Sequence, residues 1–266
     1  MLGKLIKHEF KSTSRTFLAL YAVVLVVTII LKGVVEAQSL FNVNNAIISM
    51  LTGVTIVAFV LGIIAILLGS FVLVIKRFYD NMLKDEGYLS FTLPVSTGQH
   101  IACKSIVGYI WMVLSVVVVI LLFGILGLGH NEIINGLKDA LSVVITEIRA
   151  AGAMKYVIEM FIVLAIGAYS NIALGYACFS IGQTFGKNKV LGAFVAYVII
   201  YFITQIISSI AMVIIFGSNI EAVNNAEIGD ALFQPLMIFS LVLAIVQTIV
   251  YVVITHFMLN KKLNLQ

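Results

Sequence analysis

The sequence predicts an all-α polytopic membrane protein with six transmembrane helices, an N-terminal interfacial helix and an extracellular amphipathic helix. Three observations predict it. Hydrophobic residues make up 62% of the chain and charged ones 11%, against about 45–50% and about 25% in a soluble domain. Six separate apolar runs reach about 20 residues or more, enough to cross a bilayer as helices. The basic residues gather on alternate connections between those runs.

The runs are Phe17–Val35, Ile47–Ile75, Ser105–Gly129, Tyr156–Ile181, Val190–Phe216 and Leu236–Leu259. Each is apolar all round, whereas a barrel strand alternates polar and apolar positions over about 10 residues. Residues 1–16 precede the first run and have their own helical pattern. Leu2, Leu5, Ile6, Phe10, Thr13 and Phe17 fall on one arc; Lys4, Lys7, His8, Lys11 and Arg15 fall opposite, and Glu9 alone breaks the apolar arc. That pattern predicts a helix on the inner membrane surface, with Glu9 turned to a protein neighbour. A basic stretch before an apolar run also resembles a signal peptide, with Val35-Glu36-Ala37 as a faint cleavage site, but the amphipathic pattern favours a retained helix.

Residues 130–155 carry a second amphipathic pattern. Ile133, Ile134, Leu137, Leu141, Val144, Ile145 and Ile148 follow helical spacing, with Asn131 as N-cap and Gly152 near the far end. This helix either covers the ends of neighbouring spans or meets a substrate or partner. The connection before the last run holds Glu221, Glu227 and Asp230 and no basic residue.

Of the sixteen Lys and Arg residues, Lys32, Lys138, Arg149 and Lys155 fall on one side and the other twelve on the opposite side. The positive-inside rule therefore places both termini in the cytoplasm of a multi-pass cell-membrane protein. It also locates the net charge of +4 at the ends of the apolar runs, so membrane topology explains it and no nucleic-acid partner is implied. Cys103 and Cys178 both fall toward the cytoplasmic side, where thiols stay reduced, and no disulfide is expected. Residues 1–266 read as one transmembrane domain, without internal repeat or low-complexity segment.

Motifs for catalysis are weak. His8-Glu9-Phe10-Lys11-Ser12 begins like a zinc-protease helix but has Ser12 where the second histidine must stand, so no metal site follows. Gly182-Gln183-Thr184-Phe185-Gly186-Lys187-Asn188 is one residue short of a phosphate-binding loop, ends in Asn188, and follows an apolar helix instead of a strand. No nucleophile elbow and no pair of aspartates within the spans occurs. No catalytic residue is assigned, and the chain is not expected to be an enzyme. Asn171, Gln205 and Gln247 stand near mid-span in the last three runs, where amides cost less than ions; they form interhelical hydrogen bonds or line a substrate path. Glu159 falls near the outer end of the fourth run and reads as interfacial.

The most informative segment is the cytoplasmic connection from Lys76 to Lys104, too long for a simple helix joint of about 2–8 residues. It places Leu89, Phe91 and Leu93 among charged residues, then Pro94, then Ser96 ahead of another helix. Exposed apolar side chains in such a loop call for a partner or for the inner leaflet. Here the chain resembles the type 2 ATP-binding-cassette (ABC) transporter permeases, six-helix subunits whose loop between spans two and three docks on a separate ATPase. That loop runs from a glutamate and a glycine through an apolar stretch to a proline, a serine and a later lysine. Glu86, Gly87, Leu93, Pro94, Ser96 and Lys104 are similar in kind and spacing, and Asp85-Glu86-Gly87-Tyr88 followed by Phe91-Thr92-Leu93-Pro94 looks like Gram-positive versions.

The resemblance implies an exporter subunit with Asp85, Glu86, Gly87, Leu89, Phe91, Leu93 and Pro94 coupled to the ATPase. Glu86 would meet a basic or amide group, unless it is simply a solvated charge, and the apolar side chains would fill a cleft. It implies a cytosolic ABC ATPase dimer and a second permease subunit as partners beside membrane lipid, and no cofactor in this chain, with ATP and Mg on the partner ATPase. An antimicrobial peptide or small drug is the substrate class expected. A secondary transporter or channel remains the alternative, although it should show buried ionisable residues or broken helices at mid-depth.

Overall fold

The structure is a computed structural model that describes residues 2–41, 46–84, 95–128, 131–150, 152–186, 188–218 and 229–261. Those residues form seven helices and no strand: α1 Leu2–Phe41, α2 Ala46–Leu83, α3 Thr97–Gly127, α4 Asn131–Ala150, α5 Met154–Gly182, α6 Lys189–Ser218 and α7 Gly229–Lys261. All but α4 are long and apolar enough to cross a membrane. In their most apolar windows no more than 22% of residues are buried. Water cannot be the solvent of surfaces so apolar and so exposed, and the fold is that of a six-span membrane protein.

The helices outrun the expected spans. At 1.5 Å per residue α1 is about 60 Å long and α2 about 57 Å, against about 30 Å of hydrocarbon. The break expected between a surface helix ending at residue 16 and the first span is absent; α1 runs through it unbroken. No glycine or proline lies between Gly3 and Gly33 to interrupt it. Lys4, Lys7, His8, Lys11 and Arg15 are exposed and Thr13 and Phe17 are buried, as the amphipathic pattern requires. α7 likewise starts before Pro235, which lies inside it. Proline supplies no N–H to the carbonyl four residues back, here Ala231, and the helix tolerates this so near its start.

The chain divides into two compact units, Met1–Val74 with Ile106–Ile145 and Ile75–Ser105 with Thr146–Gln266. The first unit centres on the chain's one tryptophan. Trp111 of α3 is stacked between Phe10 and Phe17 of α1, with ring centroids at 4.7 and 4.5 Å and both planes within 11°. Its indole N–H donates to Thr13 Oγ1 at 2.8 Å. The arc read as membrane-facing thus turns Phe10, Thr13 and Phe17 onto protein. One step further along the same face, Tyr21 Oη shares a hydrogen bond with Ser115 Oγ (2.7 Å), which in turn pairs with Ser70 Oγ at 2.6 Å. Such hydroxyl links between spans are worth about 0.6 kcal/mol each, and each aromatic pair adds about 0.5–1.5 kcal/mol. α1 and α2 approach closely at Gly62, where a Cβ would stand 2.9 Å from Val24 Cγ1. The missing side chain there is what lets the backbones close up.

In the second unit α5 packs along α7 and, less extensively, α6. Ala173 and Ala177, one turn apart on α5, receive Tyr251 of α7, with Leu174, Ile200, Val252 and Ile254 around them. Small residues on α5 admit the large ring on α7. At the α4–α5 junction Gly152 takes φ +63°, the left-handed conformation in which glycine meets no Cβ penalty.

Candidate functional site

The connection read as a loop over 76–104 is helical at both ends. Ile75, Phe78 and Met82 are buried at spacings of three and four on the last turns of α2, while Lys76 and Lys84 are exposed. This amphipathic pattern carries α2 on to Leu83, and Lys84 pairs with Asp80 one turn back at 2.7 Å. Ser96 opens α3, its carbonyl accepting from Gln99 and His100 N–H at 3.0 and 3.2 Å. Asp85, Glu86, Gly87, Leu89, Phe91, Leu93 and Pro94 lie outside the described residues.

What the structure does define is the pair of stems that carry that segment, both belonging to the second unit. The ring of Tyr176 on α5 stacks on Phe78 of the first stem, centroids 3.9 Å apart and planes at 12°. Its hydroxyl donates to the Lys104 carbonyl of the second stem at 3.3 Å. A single side chain thus ties both stems to α5. One turn further on α5, Phe179 meets Tyr79 of the first stem at 5.3 Å. The start of α3 is fixed to the end of α7, where Thr97 donates to Asn260 Oδ1 at 2.5 Å and Asn260 Nδ2 bonds His256 Nε2 at 2.9 Å. A Cβ on Gly98 would make ordinary van der Waals contact with the His256 ring at 3.9 Å. Phe78, Met82, Ser105 and Tyr176 are at most 1% exposed, and Lys104 is buried at 8%. Both stems are thus packed on α5, and the second also on the end of α7.

The three mid-span amides, read as interhelical hydrogen bonds or a substrate path, make no side-chain hydrogen bond to another helix among the described residues. Asn171 is exposed and its amide donates to the Gly167 carbonyl of its own helix at 2.9 Å. Gln205 is exposed on α6, whose most apolar window has no buried residue; Gln247 is half-buried on α7. Gly182 of the phosphate-loop-like stretch and Gly192 of α6 serve the α5–α6 turn. A Cβ on Gly182 would stand 2.5 Å from the Lys189 carbonyl oxygen, and one on Gly192 would meet the Phe185 ring at 2.6 Å. Cys103 and Cys178 are both buried thiols, not joined in a disulfide.

Aromatic anchoring of the stems was not read from the sequence. The signal was there in Phe78 and Tyr79, aromatics among charges just past a span, and in Tyr176 and Phe179 spaced by three. A scan against protein-family models, a search of curated proteins and a search of solved structures each give no match.

Proposed function

We propose that this chain is the transmembrane permease subunit of an ATP-binding-cassette exporter. A separate cytosolic ATPase dimer binds ATP and Mg and pushes on residues 85–94; the push enters α5 and α7 through the two stems. The observation that carries this reading is Tyr176, held by its ring to one stem and by its hydroxyl to the other. A loop tied at both roots to the same helix is built to transmit force; a loop that only joined two spans would have no need of it. The expected order Glu86, Gly87, Leu93, Pro94 between these roots supplies the charged and apolar contacts of a docking segment.

A second permease subunit completes the assembly. α6 sets the Gln205 amide among exposed apolar side chains. An amide costs more against lipid than against another subunit that can hydrogen-bond it. Both termini lie in the cytoplasm of a Gram-positive cell membrane, α4 rests its apolar residues on the outer surface, and the cargo is an antimicrobial peptide or a small drug. The test is to purify the tagged chain from its native host in mild detergent and look for a bound nucleotide hydrolase, then repeat with Glu86→Ala and Leu89→Ala. The expected result is copurification with the wild type, lost in both variants while they still insert, together with loss of transport. A chain that transports normally with no hydrolase attached would instead mark a secondary transporter or channel.

A further inference from the structure

Glu159 stands out among the polar groups of the second unit. It belongs to α5, within a helix long and apolar enough to cross the membrane. It lines a cleft of about 70 Å³ between α5 and α7, together with Ile162, Val163, Met237, Ile238 and Leu241. Its Oε2 is shut off from solvent without a hydrogen-bond donor, and so is Oε1 of Gln234, one turn before Met237 and Ile238 on α7. No ion pair among the described residues reaches Glu159. The nearest cation along the helix, Lys155, sets its ammonium over the Tyr156 ring at 4.6 Å. Tyr156 in turn meets Phe233 of α7 at 5.9 Å, so aromatic rings join the two helices one turn away.

The chemistry of this place is one-sided. In the cleft Glu159 is the one polar residue of the lining, and no hydrogen-bond donor among the described residues reaches its buried Oε2. A buried acceptor costs free energy unless a donor reaches it, and a carboxylate gains most from a donor that is also a cation. Around this carboxylate the walls are aliphatic. The volume is far below the roughly 300–1,000 Å³ of a drug-sized pocket, yet several times the roughly 10–15 Å³ that admits one water molecule. It fits a small charged head with the first few carbons of its tail.

We infer that the α5–α7 cleft is a binding site for a primary ammonium carried on an alkyl chain. Glu159 takes the ammonium hydrogens, while Ile162, Val163, Met237, Ile238 and Leu241 line the path of the chain. Such a head arrives either on an amine-bearing membrane lipid or on a free cationic amphiphile. The site stands on these residues alone, whether or not the chain is driven by an ATPase.

The experiment uses the full chain purified in maltoside detergent and radiolabelled dodecylammonium, with dodecanol as the uncharged control. Saturable binding of one dodecylammonium per chain is expected, with dodecanol weaker by about tenfold or more. Glu159→Gln, which keeps the shape and removes the charge, should lower dodecylammonium affinity by a similar factor and leave dodecanol unchanged. Ile238→Trp, which fills the cleft, should weaken both. The comparison of the two ligands on the wild type needs no variant, so it decides the matter even if a variant fails to fold. Reconstitution in phosphatidylglycerol with and without phosphatidylethanolamine separates the sources. Competition by the amine lipid would support a lipid ligand at this site, and its absence would support a free amphiphile. Equal affinity for amine and alcohol, binding that does not saturate, or indifference to Glu159→Gln in a folded variant would overturn the assignment.

Discussion

Replacing Thr13 by valine tests the joint between α1 and α3. The substitution keeps the shape of the side chain and creates no cavity, but it takes away the only acceptor seen for the Trp111 indole N–H, now at 2.8 Å. Trp111 is 3% exposed and Thr13 8%, so water cannot step in. Leaving a buried donor unpaired costs about 1–3 kcal/mol. Taking about 2 kcal/mol, and about 2–4 °C per kcal/mol for a chain of this size class, the unfolding midpoint should fall by about 4–8 °C. Cys103 and Cys178 are buried thiols, so a thiol-reactive fluorogenic dye reports unfolding directly. The decisive comparison is a double-mutant cycle. In a Trp111→Phe background the ring stack persists but there is no N–H to orphan, and Thr13→Val should then change stability by less than about 0.5 kcal/mol. An equal loss in both backgrounds would show that the hydrogen bond contributes nothing and that the stack alone holds the joint.

Two glycines give sharper steric outcomes. Gly182→Ala would place its Cβ 2.5 Å from a backbone oxygen and 2.7 Å from the Ala193 nitrogen; neither can yield as a side chain does, so poor yield of folded protein in detergent chromatography is expected. Gly62→Ala meets only the Val24 side chain, at 2.9 Å, and should cost about 1–3 kcal/mol in the same thiol assay. Adding Val24→Ala should restore most of that loss, and absence of any rescue would argue against the close α1–α2 approach.

The sequence made the spans legible because lipid imposes one rule on every residue of a long run. Phe17–Val35 and Val190–Phe216 needed no knowledge of neighbours to be read as helices. Helix ends were less legible. Polar residues such as Lys76, Arg77 and Asp80 look like loop when counted, and only the spacing of Ile75, Phe78 and Met82 shows a helix continuing past the apolar run. The N-terminal arc is legible as one face, but whether Phe10 and Phe17 meet lipid or an indole depends on what α3 brings to them, 94 residues away from Phe17 at Trp111. The mid-span amides depend on packing in a related way. Asn171 found a carbonyl on its own helix, a partner available to any helical asparagine, before any neighbouring span was needed. Glu159 was placed near the end of its span, but that its carboxylate faces a cleft made with α7 follows only from the packing of two distant segments.

The unbroken course of α1 makes it a strut. Thr13, Phe17, Tyr21 and Val24 grip it over about 16 Å of its length, against Trp111, Ser115 and Gly62. A rod clamped over so many contacts does not swing; a sideways push at its lysine-rich tip is carried as load into α2 and α3. Had the helix been hinged at residue 16, the same push would have been absorbed in the bend.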